Sequence, residues 1–558
     1  MKTQFPMGWL LSHWFASKGE NRASGVKLNT RRIREFFQLL VNGILAGAGI
    51  AAGFVGPVLW ANKLGESTNP PLDIGSRWEL MVDRHLIESM DGVSLRLHEP
   101  HRADVALPFN DPWDRDASNY ATVIEDNGLY RLYYRGGPAD SSEGKREGET
   151  SYFCYAESRD GINWVKPQLG LVEFRGSKNN NILLAPAPRE DPYTQSLSPF
   201  LDTRPGVPED ERYKAIGGQW PQGLYVLVSP DGINWRKWRE QPVFKDGAFD
   251  SQNVAFWSET EQCYVLYFRV FTGWTDYKKD LRVNGYRSIS RTTSPDLVNW
   301  TEPQRMTFGP TPLEHLYTNH TRPYFRAPHL YVATPMRFVP GRRFLTDDEM
   351  DAQKIGKGFR AISGHNHDIP NEVSDTVFMT SRGGTRYDRT FMESFIRPGL
   401  DKGNWVSRNG VPATGFVQTG PAEMSIYVCQ NLVQPTAHLA RYTLRLDGIA
   451  SVNALYAGGE MITKPLLVSG AQLVLNCATS AAGSIRVEIQ TADGEPIPGF
   501  TLEECPVLVG DSIERGVGWV TGSDLSALKG RGVRLRFVMK DADLFALRFA
   551  PRRDPPPQ

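Results

Sequence analysis

The chain has 558 residues, 40% hydrophobic and 11% aromatic, and its 63 Lys plus Arg balance 63 Asp plus Glu. That length exceeds one ordinary core and predicts two folded domains behind a targeting segment, while the zero net charge excludes a bulk field that would gather nucleic acid or an anionic membrane. Five scattered cysteines, Cys154, Cys263, Cys429, Cys477 and Cys505, exclude a zinc framework or a dense disulfide scaffold and leave only Cys477 and Cys505 as candidates for pairing.

Residues 1–66 read as an export signal or membrane anchor with its linker. Arg31 and Arg32 precede a Gly/Ala-rich apolar stretch from Phe36 to Ala61, which resembles a twin-arginine signal and is also long enough to span a bilayer. The expectation is an exported protein, periplasmic or extracellular, that meets a membrane only through this segment. Ser67-Thr68-Asn69-Pro70-Pro71 continues the linker, and alternation from Trp78 to Ile87 predicts a first strand.

A five-residue phrase then returns four times, ending at Trp164, Trp235, Trp300 and Trp405 and starting at Asp160, Asp231, Asp296 and Asp401. In three copies a Ser stands two residues before the Asp (Ser158, Ser229, Ser294), and a strand-like run leads into it. The copies lie about 65 to 105 residues apart, which suits four-stranded propeller blades. An Asp that accepts backbone N–H bonds, a Gly that tolerates positive φ and a Trp that covers a gap make a turn with a wedge, so these Asp residues are read as structural.

The fold class is all-β: a five-bladed β-propeller over 75–446, then a C-terminal β-sandwich over 447–550, where short alternating strands lack the phrase. The Pro-rich tail 551–558 is expected to be disordered.

These repeats with a trailing sandwich resemble the five-bladed propeller glycosidases of the invertase and arabinanase group. Glycoside hydrolase family 32, related to family 43, is the nearest, and Ser294-Pro295-Asp296-Leu297-Val298-Asn299-Trp300 carries the match best. The resemblance implies glycan cleavage by three carboxylates near the axis, one from each of the first three blades. Asn110-Asp111-Pro112 resembles the nucleophile motif, but Trp113-Asp114 follows it; Phe200-Leu201-Asp202 stands where Arg-Asp-Pro would, and no Glu-Cys acid motif occurs in blade three.

The residues themselves point to a mouth of the propeller, because polar groups just before each innermost strand converge there. They give Asp116, Asp202 and Asp250 as candidate catalytic carboxylates, with Glu393 and Glu423 beside apolar residues where a carboxylate needs a partner. Asn119, Asn253, Asn319 and His320 are candidate substrate contacts, and Trp113, Trp220 and Trp274 are candidate sugar platforms. His315, His320 and His329 fit no metal spacing, so no metal or cofactor is expected, with an axial calcium left open. The expected partner is a carbohydrate substrate. Three functions compete: a glycoside hydrolase, a β-mannoside phosphorylase-like enzyme holding phosphate on Arg322 and Arg337, and a non-catalytic glycan-binding propeller.

Overall fold

The computed structural model describes residues 70–114, 118–137, 151–188, 190–273, 285–352, 372–406, 408–432 and 434–551. The expected export segment, Asp116, Trp274, part of the insertion around 341–368 and the tail beyond 551 lie outside the described residues. No helix among the described residues is long and apolar enough to cross a membrane.

The fold is nearly all strand; the α-helix Asp347–Ala352 is a short exception. A first sheet orders Asn119–Asp126, Leu129–Gly136, Tyr152–Ser158 and Ile182–Leu184, each strand antiparallel to the next. A second runs Ser198–Leu201, Tyr213–Gln219, Gly223–Ser229 and Arg236–Lys237, and a third Val254–Ser258, Cys263–Phe271, Arg287–Ser294 and Gln304–Arg305. The fourth group divides into two sheets, Arg322–Tyr324 with Ala327–Ala333 and Met379–Ser381, and His315–Leu316 with Met336–Pro340, Glu372–Val377 and Ser394–Ile396. The fifth holds Val411–Pro412 and Val417–Gln418 beside Glu423–Gln430, then His438–Arg445 and, outermost, His101–Pro108. These strands read as continuous apolar runs such as Leu224 to Val228 because neighbouring sheets bury both of their faces.

The first strands of the first four groups lie side by side in turn, and part of the fifth group lies against the strand Asn119–Asp126. Thr414 N–H donates to the Ala121 carbonyl at 2.9 Å and Val123 N–H to the Thr414 carbonyl at 3.1 Å. Register then fixes two ends. Asn119 faces Arg135, and Ser198 faces Ile216, so the starts of the first strands share one end with the finishes of the second strands.

The repeated phrase behaves as its chemistry requires. Asp160 Oδ1 accepts N–H bonds from Ile162 and Asn163, both at 2.8 Å, and Oδ2 accepts from the Asn163 amide at 2.8 Å; Asp231 and Asp296 repeat the pattern. The fourth copy is different. Asp401 caps a 3-10 turn over Lys402–Asn404, Trp405 stacks on Phe344, and Asn404 Oδ1 accepts from Asn431 N–H. Without the preceding Ser, that sequence builds another turn at another place; the Gly is not what decides it, because Leu297 holds the same position at φ 64° in the third copy.

The C-terminal region forms a nine-stranded sheet around the long strands Gln472–Thr491 and Gly532–Ala550. It also recruits Glu79–Leu80, Ile87–Asp91 and Val93–Leu97, so the strand expected to begin the repeats belongs to the far domain instead. Trp78, Leu80, Val474 and Ala546 pack with Tyr324, Phe395, Phe416 and Met424, joining this sheet to the fourth and fifth groups in one apolar cluster. Each large buried side chain there contributes about 1.5–3 kcal/mol. Cys477 and Cys505 are both free thiols.

Candidate active site

A buried polar layer links the first, third and fourth groups of strands. Gln252 donates to the Tyr120 carbonyl at 3.2 Å and to Thr122 Oγ1 at 3.0 Å, and its Oε1 lies 3.1 Å from His320 Nε2. His320 Nδ1 sits 3.1 Å from the Thr334 carbonyl, and burial lowers its pKa to about 4, so the ring is neutral. Asn253 donates to the Phe249 and Ser251 carbonyls, and Asn319 Oδ1 accepts from Thr321 N–H at 3.0 Å. Each of these three expected substrate contacts thus makes bonds to the scaffold, while Asn253 Oδ1 has no hydrogen-bond partner among the described residues. Asn119 is buried at the same level, and its Oδ1 has no hydrogen-bond partner among the described residues.

Beyond that layer, at the end where the first strands start, charge gathers. Asp250 is 86% exposed and pairs with Arg269 at 3.5 Å. Ser251 ties its turn to Tyr317 by donating to the Tyr317 carbonyl at 2.9 Å. The guanidinium carbons of Arg269, Arg287 and Arg408 stand 5.5, 5.6 and 5.7 Å from the Tyr317 ring centroid, and Arg135 lies 4.8 Å from that of Tyr120. Burial pushes the Tyr317 phenol up, but Arg408, Arg269 and Arg287 outweigh it and leave its pKa below the usual value. Burial and then Arg269 bring Arg287 down to about 10. Buried Glu372 acts electrostatically on Arg287 and Arg408. Tyr120 and Arg408 hold φ of 51° and 66°, left-handed backbone that bulky residues rarely adopt and that concentrates at functional sites.

Register separates the other expected carboxylates from this mouth. Asp202 follows the far end of Ser198–Leu201, where it is buried against Lys214 Nζ at 2.8 Å and accepts from the Tyr264 hydroxyl at 2.7 Å. Glu423 stands beyond Ser425, the partner of Val417, and pairs with Arg441 at 3.0 Å. Glu393 is exposed beside the outermost strand Ser394–Ile396. All three were expected beside Asp250, and all three sit at the opposite end or on the perimeter, because a carboxylate next to the finish of a first strand points away from its start. Trp113 is at the right end but packs edge-on against Phe174 and donates to Asn181 Oδ1 at 2.6 Å. Trp220, in the turn after Gln219, is 42% exposed at that end.

A cavity of about 730 Å³ opens at the opposite end, lined by Val123, Leu201, Phe256, Trp257, Tyr324 and Phe416 among others. Its carboxylates include Glu125, which accepts Gly128 N–H in a turn, and the fully bonded Asp160. Exposed Glu259 lines it as well. Among the described residues, no group of three His, Cys, Asp or Glu side chains is placed to hold a metal ion.

The sequence reading missed Arg135, Arg269, Arg287, Arg408, Tyr120 and Tyr317. A signal was present: Arg135 and Arg269 each interrupt an apolar strand near its end, where a buried cation needs a reason.

No family model matches the chain. Among curated proteins it is 29% identical over 133 residues to "Uncharacterized protein Rv1502" of Mycobacterium tuberculosis (strain ATCC 25618 / H37Rv), a match covering 24% of this chain and 37% of that relative. Solved structures similar to it include a glycoside hydrolase family 43 arabinoxylan arabinofuranohydrolase from Bacillus subtilis, at 11% identity and TM-score 0.34 over 79% of this chain and 98% of that one. They also include a β-1,2-mannobiose phosphorylase from Listeria innocua, at 12% identity and TM-score 0.38 over 62% and 95%. A third, an N-acetylgalactosamine deacetylase from F. plautii, gives 13% identity and TM-score 0.37 over 64% and 97%.

Proposed function

We propose that this chain is a glycan-acting enzyme of glycoside hydrolase type, working at the mouth around Asp250 of a five-bladed propeller that carries a C-terminal sandwich. The observation that carries the reading is Asp250 itself, an exposed carboxylate held by one arginine where the lead-in turns of the first strands converge. Cleavage through an oxocarbenium-like transition state needs one group to protonate the leaving oxygen and another to stabilise or attack the anomeric carbon. Asp250 takes one role. For the other, the sequence offers Asp116, and the charged cluster offers Glu372. Trp220 is exposed for stacking on a sugar ring. No cofactor enters this chemistry. Export through residues 1–66 belongs to the same reading, supported by Arg31, Arg32 and the apolar run after them.

A panel of furanosides, fructans, mannosides and acidic oligosaccharides, incubated with the full-length chain and analysed for released products, tests the proposal. Product release from at least one substrate supports it. Tight binding without turnover on every substrate selects the non-catalytic glycan-binding reading instead.

A further inference from the structure

The geometry points to a second ligand site: we infer that the cavity at the end opposite Asp250 binds a small organic acid with an apolar body, its carboxylate held by Arg322. The site is separate from the glycan reading and does not rest on it.

At about 730 Å³ the cavity has the volume of a small-molecule site. Leu201, Phe256, Trp257 and Phe416 give it an apolar wall. Arg322 is the one cation on that wall among the described residues, because His320, which also lines it, is neutral. The Arg322 guanidinium makes one hydrogen bond there, from Nη2 to the Pro199 carbonyl; its Nε is buried without a partner, and none of the described carboxylates pairs with it. Burial is what lowers its pKa, to about 10, so the group stays charged at neutral pH. The protein treats other enclosed arginines differently. Arg382 meets Glu79 at 2.8 Å and Asp83 at 3.1 Å, and Arg337 meets Glu314 at 2.8 Å and Asp375 at 2.6 Å. An enclosed cation without a counter-charge is costly, and a bound anion removes that cost. The carboxylates that line the cavity do not: Asp160 is bonded within its own turn, and Glu125 and Glu259 are exposed to solvent. Trp257 adds a second unspent donor, since its Nε1–H is buried without a partner among the described residues.

One guanidinium in an apolar cavity selects a ligand with one anionic end and an apolar remainder. A carboxylate accepts charge-assisted hydrogen bonds from the guanidinium, and an aromatic or aliphatic body buries its surface against Phe256, Trp257 and Phe416. A sugar or a bare inorganic anion would leave that wall facing a hydrated group, and a neutral hydrocarbon would leave Arg322 unpaired.

Calorimetric titration of the full-length chain with phenylbutyrate, phenylbutyramide and acetate tests the inference. Phenylbutyrate is expected to bind at least about tenfold more tightly than either of the others, and to lose about tenfold or more in Arg322→Gln but not in the surface control Arg236→Gln. Should Arg322→Gln fail to fold, Leu201→Trp, which narrows the cavity and leaves the arginine in place, decides: weakened binding supports the site and unmoved binding overturns it. No preference for the acid over its amide in the wild type overturns the inference whether or not the variants fold, and so does binding unmoved in folded Arg322→Gln. Acetate binding as tightly as phenylbutyrate would overturn the apolar body. None of these readouts uses turnover, so the reading of the Asp250 mouth stands or falls separately.

Discussion

Asp250 and Asp202 looked alike in the sequence, each a carboxylate beside an apolar run, and their surroundings divide them. Asp250 keeps its side chain in solvent with one arginine at 3.5 Å, whereas Asp202 is sealed against Lys214 and Tyr264 between two sheets. Nothing near Asp202 in sequence announces Lys214, because the contact is made by strand pairing across a loop. Asp202→Asn leaves the buried Lys214 ammonium only Glu211, at 3.6 Å, as a counter-charge, so it is expected to lower stability by about 3 kcal/mol. Thermal or urea unfolding checks this, and an unchanged melting temperature would argue that the pair is dispensable. The position of Asp250 just ahead of the first strand Val254–Ser258 was legible in the sequence. The arginine cluster was not, since its members come from three sheets and meet only through register.

At the scale of single elements, the Ser-x-Asp turns are the best case for reading structure from sequence. Each donor and acceptor lies within a few residues, so the local chain decides the geometry in all three copies. The N–H groups of Asn299 and Val298 lead in holding Asp296 at about 2, below its ordinary 3.8. A depressed folded pKa means stability that is present above the ordinary value and lost as pH falls through about 2. Asp231→Ala is expected to cost about 1 kcal/mol at neutral pH and progressively less in acid, read as a melting difference between variant and wild type across a pH series. A difference that grew as pH fell would contradict the linkage. The Asp401 copy shows the limit of the method: Asp, Asn and Trp at the right spacing, without the preceding Ser, gave a different turn.

For the whole molecule, the sequence showed the strand-rich class and the series of repeats but misplaced the junction between domains. His101–Pro108 completes the fifth sheet, and the strands before it join the C-terminal sheet, pairings separated by more than three hundred residues that no local pattern records. Buried Glu79 sits at this junction, 2.8 Å from Arg382 Nη1 and 2.8 Å from His329 Nε2. Burial raises its pKa, but the His329 hydrogen bond and the Arg382 charge overcome this and hold it at about 2 against an ordinary 4.5. Its contribution is therefore full above about pH 4.5 and disappears as pH falls towards 2. Glu79→Ala removes the carboxylate that these two side chains share and is expected to cost roughly 3–5 kcal/mol at pH 7. Unfolding curves of the variant and the wild type that coincide at pH 7 would show that the junction does not depend on it.

The most direct measurement is the turnover of Asp250→Asn on whichever glycan the wild type cleaves, with melting curves for both proteins. Asparagine keeps the shape and removes the charge, so the melting temperature should hold while the rate falls by roughly a hundredfold or more, with each tenfold worth about 1.4 kcal/mol of barrier. Near-full activity in a folded variant would contradict the assignment of the site to this mouth.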